Sequence, residues 1–124
     1  MTWLAIGLGG AIGAMARHAL GQYVMRRLGS TGFPYGTVIV NLAGCLAIGV
    51  FAGAAAGGRL SGAPALRSFV VIGVLGGFTT FSAFGLDTLT LLQEGRSPAA
   101  AANVAVQVGL GLLAVWAGFA AASR

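Results

Sequence analysis

Acidic side chains are almost missing from this chain of 124 residues, which has two of them, and only 7% of its residues are charged. A soluble domain typically has about a quarter of its residues charged. The mean hydropathy of +0.92 and the hydrophobic share of 57% exclude an ordinary soluble domain. Because a membrane-spanning helix needs about 20 apolar residues, four helices with short connections use nearly the whole chain. We therefore expect residues 1–124 to form a single four-helix transmembrane domain.

Cysteine and histidine are equally scarce, with one of each, Cys45 and His18. No disulfide can form within the chain, and Cys45 lies in an apolar run, where a small buried hydrophobe is expected. His18 has no second metal ligand at helical spacing. No Ser/His/Asp combination lies outside the apolar segments, so an enzyme is not expected. The seven basic residues give a net charge of +5 but are spread along the chain, so no nucleic-acid partner is expected either.

Four apolar segments are separated by loops that are rich in turn residues. The segments run from about Trp3 to Met25, Gly36 to Ala56, Ser68 to Leu92 and Ala99 to Ala122. Small residues recur at helical spacing within them: Ala5, Gly9, Gly13 and Gly21 in the first, and Gly49 and Gly53 in the second. Such patterns let helix backbones approach closely in lipid. The sequence therefore predicts an all-α membrane protein, packed as a tight bundle.

The third segment contains a sequence that is a poor helix interior. Gly76-Gly77 is followed closely by Thr79-Thr80, and both glycine and β-branched threonine lower helix propensity. Unwound backbone is tolerated in a membrane only where it is buried in protein or lines a wet cavity. We therefore expect the third helix to be broken mid-membrane, which indicates an ion or substrate site of a small channel or transporter.

The arginines of the loops and chain end are shared equally between the two membrane faces. If the segments alternate in direction, one face receives Arg59, Arg67 and Arg124, and the other receives Arg26, Arg27 and Arg96. The positive-inside rule then favours neither orientation. One interpretation is a chance tie, with the orientation decided by other features. The other is that the chain inserts both ways round, so that antiparallel copies pair about a two-fold axis in the membrane plane.

Amide side chains lie within two of the apolar segments. Thr37, Asn41 and Cys45 form a stripe at i, i+4 spacing on the second helix, and Asn103 and Gln107 form a similar stripe on the fourth. Hydrogen bonding between helices would explain these groups. A track of amide donors for an anion would explain them equally well, since polar side chains within a membrane are often functional.

Two phenylalanines follow the expected break. Phe81 and Phe84 are three residues apart, so they share one helix face. Packing or lipid contact is the ordinary role for such a pair, but the positive edges of phenyl rings can also face an anion. Hydroxyl groups close by, at Thr80 and Ser82, add weight to the second interpretation.

Arg17 is the one charged side chain deep within the first helix. It can extend to the headgroup region, as long basic side chains do. Alternatively, it can line a wet vestibule and attract anions, which is the interpretation we favour.

Three separated motifs of this chain resemble those of one family. They are Gly9-Gly10-Ala-Ile-Gly13-Ala14-Met-Ala-Arg17, Pro34-Tyr-Gly36-Thr37-Val-Ile-Val-Asn41-Leu-Ala-Gly44 and Gly76-Gly77-Phe78-Thr79-Thr80-Phe81-Ser82-Ala83-Phe84. Together they resemble the Fluc/CrcB family of fluoride channels, over essentially the full length of the chain. The resemblance implies an antiparallel, dual-topology homodimer with two pores. Such a dimer passes fluoride passively out of the cell and so relieves fluoride toxicity, and a bacterial inner membrane is its expected location.

The resemblance also implies roles for individual residues. Asn41 matches the pore asparagine of the family, and Phe81 and Phe84 match the paired phenylalanines whose ring edges contact the anion. Gly76 and Thr79 match the positions whose backbone carbonyls hold a structural sodium ion at the dimer axis.

Other positions complete the expected pore. Arg17 matches the vestibule arginine of the family, and the hydroxyls of Thr80 and Ser82 are expected beside the anion. Along the fourth helix, where the family often has hydroxyl residues, this chain has Asn103 and Gln107. We expect these two amides to line the pore.

Two other kinds of protein fit part of the sequence. A small multidrug-resistance exporter is also a four-helix antiparallel dimer, but its proton exchange needs a membrane-buried carboxylate on the first helix, where this chain has Arg17. A non-transporting accessory subunit would explain the packing glycines. It would leave Asn41 and the expected break in the third helix without a role.

Overall fold

A computed structural model describes residues 2–29, 31–60 and 64–124. Four helical segments in these ranges are long and apolar enough to cross a membrane. They are α1 (Thr2–Leu28), α2 (Tyr35–Ala56), a third segment (Pro64–Gln93) and a fourth (Ser97–Ala122). No strand occurs among the described residues. The four predicted spans are thereby confirmed to within a few residues at each end, while Ser30 and residues 61–63 of the predicted loops lie outside the described residues.

The third segment changes its backbone geometry several times. It begins with α3 (Pro64–Arg67), continues as a π-helical stretch (Ser68–Leu75), and then forms α4 (Gly76–Phe78) and α5 (Phe81–Gln93). Between α4 and α5 the backbone is extended, with φ −83° and ψ 158° at Thr79 and φ −150° and ψ 113° at Thr80. The Thr80 hydroxyl accepts a hydrogen bond from the Ala83 N–H at 3.2 Å, which starts α5 as a side-chain cap.

The fourth segment is more regular. It consists of α6 (Ser97–Ala105), a short π-helical stretch (Val106–Leu110) and α7 (Gly111–Ala122). Pro98 lies in the first turn of α6, where the missing N–H of proline costs no helical hydrogen bond.

Glycines set the contacts between the helices. On one side of the bundle, α1 packs on the π-helical stretch of the third segment and on α4. A Cβ atom at Gly9 would lie 2.6 Å from the Phe69 carbonyl oxygen, and one at Gly77 would lie 2.5 Å from that of Gly10. On the other side α2 packs on α7, where a Cβ at Gly49 would meet the Val115 carbonyl. These contacts confirm the predicted close packing of the bundle.

Arginine side chains form hydrogen bonds between neighbouring loops at each end of the bundle. Arg59, after α2, donates to the Ala122 carbonyl at 2.9 Å and also to the Arg124 carbonyl. At the opposite end, Arg96 donates to the Gly32 carbonyl. The loop after α2 therefore lies beside the chain end, and the two other loops lie together at the far end. Consecutive segments therefore run in opposite directions, as was assumed when the arginines were assigned to the two membrane faces.

Candidate functional site: a polar chain between two cavities

Asn41, in the second turn of α2, is paired with the extended backbone of Thr80. The Thr80 N–H donates to Asn41 Oδ1 at 2.8 Å, and Asn41 Nδ2 donates to the Thr80 carbonyl at 3.0 Å. An extended residue has no helical partner for either group, and a buried backbone group without a partner is costly. Asn41 therefore supplies the hydrogen bonds that Thr80 would otherwise lack. This pairing also fixes the amide orientation of Asn41, because Thr80 offers one donor and one acceptor.

A chain of hydrogen bonds continues from Asn41 to the fourth segment and back to α5. Asn41 Nδ2 donates to Gln107 Oε1 at 2.6 Å, and Gln107 Nε2 donates to Asn103 Oδ1 at 2.9 Å. Asn103 Nδ2 then donates to the Thr88 hydroxyl at 2.9 Å, and that hydroxyl donates to the Phe84 carbonyl at 2.8 Å. Hereafter we call this series, from Thr80 to Phe84, the amide chain. Asn41 contributes to it from the stripe predicted on the second helix, and Asn103 and Gln107 contribute from the stripe predicted on the fourth.

A first cavity of about 360 Å³ lies against one side of the amide chain. The residues that line it come from α2 and from the third and fourth segments: Asn41, Gly44, Cys45, Ile48, Val71, Leu75, Gly76, Thr79, Thr80, Phe81, Phe84, Gln107 and Val108. The cavity thus brings together most of the residues expected in a pore or at a metal. Its wall is mainly apolar, with the polar groups concentrated at Asn41, Thr80 and Gln107.

Phe81 and Phe84 form a tilted ring pair at the wall of the first cavity. Their ring centroids are 5.3 Å apart and the ring planes meet at 53°. Phe84 is half-buried, whereas Phe81 is 82% exposed in the single chain. An aromatic ring that is so exposed in a membrane-spanning segment has most of its surface available to lipid or to another protein chain.

A second cavity, of about 340 Å³, is lined in part by two charged residues. Arg17 and Asp87 both line it, together with Thr37 and Thr80. Asp87 Oδ2 is buried and has no hydrogen-bond partner among the described residues. Thr80 lines both cavities, so this extended residue lies between them, and the Asn41 amide that is bonded to it lines the first.

Two predicted site residues line neither cavity. Ser82 is exposed, and its hydroxyl oxygen lies 3.2 Å from that of Thr80. Asn103 is fully buried, with none of its surface exposed, and it contacts Gln107 and Thr88 instead. Arg17 is near Thr80 but belongs to the second cavity, apart from the phenylalanine pair.

The carbonyls of Gly76 and Thr79 lack the donors that a continuous α-helix would give them. The Thr80 N–H, which would serve the Gly76 carbonyl, donates to Asn41, and the Ala83 N–H, which would serve Thr79, donates to the Thr80 hydroxyl. Carbonyl oxygens are hard ligands, and freed backbone carbonyls bind Na⁺ in other membrane proteins. Both residues line the first cavity, and Gly76 is exposed. The residues therefore fit a hard monovalent cation, although one chain offers only part of a coordination shell.

Sequence reasoning missed Thr88, which anchors the far end of the amide chain. A signal for it exists: α5 and α6 are joined by a short loop at residues 94–96. Thr88 lies seven and Asn103 eight residues from the centre of that loop, and the two arms of a helical hairpin bring such positions close to each other. Sequence reasoning also gave no role to Asp87, whose carboxyl lines the same cavity as Arg17 because of the way α1 packs.

Comparison with known proteins agrees with this architecture. Residues 4–119 match the model of the family described as CrcB-like protein, Camphor Resistance (CrcB). The fluoride-specific ion channel FluC of Opitutus terrae is 49% identical over 122 residues, which cover 97% of this chain and 91% of that protein.

Two further relatives carry the same name. FluC of Methylobacillus flagellatus is 46% identical over 117 residues, covering 94% of this chain and 90% of the relative. FluC of Rhizobium johnstonii is 44% identical over 117 residues, covering 94% and 92%. Since the family match spans nearly the whole chain and these relatives are matched over most of both lengths, the chain belongs to the CrcB family.

Proposed function

We propose that this protein is a fluoride-specific ion channel that lets fluoride leave the cell passively and so relieves its toxicity. The observation that carries the proposal is the first cavity, which gathers Asn41, Gln107 and the Phe81–Phe84 pair at one wall. The relatives named as fluoride-specific ion channels support the choice of anion. The protein is accordingly a transport protein rather than an enzyme, and a bacterial inner membrane is its proposed location.

The proposed path leads from the second cavity, past Thr80 and Asn41, into the first. Arg17 attracts anions to the second cavity, where the nearby Asp87 carboxyl limits how tightly they are held. In the first cavity an anion competes with protein acceptors for the Asn41 N–H groups and meets the positive ring edges of Phe81 and Phe84. Weak binding at successive positions is sufficient for conduction and requires no energy source.

The preference for fluoride over larger halides follows from size and hydration. Fluoride is small and strongly hydrated, so a passage must replace its water by several close donors. Amide N–H groups, the hydroxyls of Thr80 and Ser82 and the phenyl edges are groups of the required kind. A larger halide gains less from such close contacts, because its charge lies farther from each donor.

We propose that the working unit is an antiparallel, dual-topology homodimer with two pores. Four helices are too few to surround a pathway, and the first cavity contains Phe81, whose ring is 82% exposed in the single chain. A second copy packed against this face would cover the ring and close the cavity. The balanced arginines of the two membrane faces would allow both orientations in one membrane.

The extended backbone at Thr79 and Thr80 is proposed to lie near the middle of the bilayer, as a break in the third helix. The Gly76 and Thr79 carbonyls of both copies would then hold a sodium ion at the dimer axis. When bound, the ion would supply positive charge that satisfies carbonyl oxygens which would otherwise be costly in lipid. In each chain the Thr80 N–H donates to Asn41 and not to the Gly76 carbonyl. That carbonyl would therefore be available to the ion.

The alternative is a proton-coupled exporter of the small multidrug-resistance type. Such an exporter needs a membrane-buried carboxylate on its first helix, and this chain lacks one there. No acidic residue occurs in α1, and Arg17 lies there instead. Asp87 is on α5 and shares its cavity with that arginine, so a cationic drug entering the cavity would meet a positive charge.

The function is tested by ion efflux from liposomes that contain the purified protein. Liposomes loaded with potassium fluoride should release fluoride rapidly once a potassium ionophore balances the charge, whereas chloride-loaded liposomes should release almost none. Protein-free liposomes give the background leak. Equal release of the two halides, or fluoride release no faster than the leak, would refute the proposal.

A further inference from the structure

The amide chain begins and ends on backbone groups of one short stretch, Thr80 and Phe84. At its start the Thr80 N–H can only donate, and at its end the Phe84 carbonyl can only accept. Between these fixed ends every group both accepts and donates: Asn41, Gln107, Asn103 and the Thr88 hydroxyl. Turning any one amide by half a turn would place two donors or two acceptors face to face. The two ends therefore determine the orientation of all three amides.

The orientation matters most at Gln107. Asn41 and Gln107 are the two amide side chains at the wall of the first cavity. Both N–H groups of Asn41 are donated to protein acceptors, the Thr80 carbonyl and Gln107 Oε1. Gln107 donates one N–H to Asn103, and no hydrogen bond among the described residues uses the other. Gln107 thus holds an amide N–H that an anion can take without breaking a hydrogen bond within the protein.

We propose that Thr88 and Asn103 are positioning residues that keep the Gln107 amide turned with its oxygen to Asn41 and its nitrogen to Asn103. This inference rests on the proposed function, since it concerns the passage of an anion. Asn103 is fully buried and lines neither cavity, so it acts through Gln107 rather than on the ion. If the amide of Gln107 turned over, its oxygen would replace the free N–H, and a partial negative charge would repel the anion.

The hydroxyl of Thr88 is the point at which this role can be separated from packing. Thr88→Val replaces the hydroxyl by a methyl group of similar size, so Asn103 loses its acceptor while the volume is kept. Thr88→Ser keeps the hydroxyl. Thr90 offers a matched control on the same helix. Its hydroxyl also donates to the carbonyl four residues earlier, that of Leu86, at 3.0 Å, but it accepts from no amide of the described residues.

The experiment compares fluoride efflux from liposomes containing each variant. Because Thr88→Val leaves the buried Asn103 N–H without its acceptor, it should slow fluoride release roughly tenfold, which corresponds to about 1.4 kcal/mol. Thr88→Ser and Thr90→Val should stay within about twofold of the unchanged protein, because the amide chain is intact in both. Thr88→Val releasing fluoride as fast as Thr90→Val, or Thr88→Ser losing as much as Thr88→Val, would overturn the positioning role.

A second measurement does not depend on flux. The side-chain amide of Gln107 gives a pair of NMR signals, which fluoride should shift in the unchanged protein and in Thr88→Ser. In Thr88→Val the response should be reduced; an equal response there would overturn the proposal. Should Thr88→Val not fold, Asn103→Leu takes its place in both measurements, with the same outcomes. Absence of fluoride flux through the unchanged protein would refute the proposed function itself, whereas normal flux that is insensitive to Thr88→Val would refute only the positioning role.

Discussion

An amide side chain can present either an N–H or an oxygen to an ion, so its identity alone does not decide what it contributes to a pore. Asn41 shows this at the scale of the residue. Its oxygen and both its N–H groups are engaged by Thr80 and Gln107, so it satisfies the extended backbone as well as lining the first cavity. The two phenylalanines also differ in their surroundings, since Phe84 is half-buried in the wall of the first cavity and the side chain of Phe81 is exposed.

The phenylalanine pair leads to the first prediction. Replacing Phe81 or Phe84 by isoleucine keeps an apolar side chain of comparable bulk but removes the positive ring edge. Because aromatic interactions contribute about 0.5–1.5 kcal/mol beyond burial, each variant should slow fluoride efflux by up to roughly tenfold. The protein should remain folded, most clearly for Phe81→Ile, whose side chain has few contacts to lose within the chain.

The matched control is Phe119→Ile on α7, where the ring is partly exposed and lines neither cavity. Efflux through this variant should equal that of the unchanged protein. Unchanged flux in both Phe81→Ile and Phe84→Ile would show that the two rings serve packing alone.

At the scale of the element, the extended residues Thr79 and Thr80 fall where the sequence has its weakest helix formers. The four spans were predictable because length and hydropathy determine them. The hydrogen-bond partners of Asn41 and Gln107 were not, since they depend on how each helix is turned about its axis. For these two helices the rotation is set by glycine contacts such as that of Gly49 on α2 with Val115 on α7, which only the packed structure reveals.

The π-helical stretches were not predicted either. A π-helical backbone satisfies the same groups as an α-helix with a different spacing, so no residue type marks it. Likewise, the sequence favoured a wet vestibule for Arg17 but did not reveal the separate cavity that Arg17 lines together with Asp87 and Thr80. The packing of α1 against the rest of the bundle determines this separation.

Two adjacent glycines of α4 give the second prediction, because they face different neighbours. A Cβ at Gly77 would lie 2.5 Å from the Gly10 carbonyl oxygen, so Gly77→Ala should push α1 and α4 apart. Such overpacking costs about 1–3 kcal/mol, and it should lower the thermal unfolding temperature of the protein. At Gly76 the nearest atom to a Cβ is the Val71 carbonyl oxygen at 3.6 Å, an ordinary contact.

Gly76→Leu should therefore fold as a single chain but fail to pair, if a second copy approaches this face. Chemical cross-linking in detergent should show monomer for Gly76→Leu and dimer for the unchanged protein, and flux should be lost with the dimer. A Gly76→Leu protein that is dimeric and conducts normally would contradict the proposed position of the dimer axis.

At the scale of the whole molecule, the balanced charge and the open cavity both fit the proposed antiparallel dimer. Arg59 lies at one end of the bundle beside the Ala122 and Arg124 carbonyls, and Arg96 lies at the other beside Gly32. Neither end has the excess of arginine that would fix an orientation. A protein inserted both ways round can form the antiparallel pair that would cover Phe81.

The third prediction concerns this orientation. Adding two or three arginines to the loop between α1 and α2, near Gly32, should bias insertion towards one orientation, and adding them to the loop after α2, near Gly57, should favour the opposite one. Each biased protein expressed alone should give little fluoride efflux, and the two expressed together should restore it. Full activity from either biased protein alone would exclude an antiparallel pair.

The central claim, passive conduction of fluoride, is tested most directly by the reversal potential of the current across a planar bilayer. The two sides have different fluoride concentrations but the same pH, sodium and chloride. The account predicts that the current reverses at the fluoride equilibrium potential, and that the reversal potential stays there when a pH or sodium gradient is added. A reversal potential that moves with the proton, sodium or chloride gradient would contradict the claim.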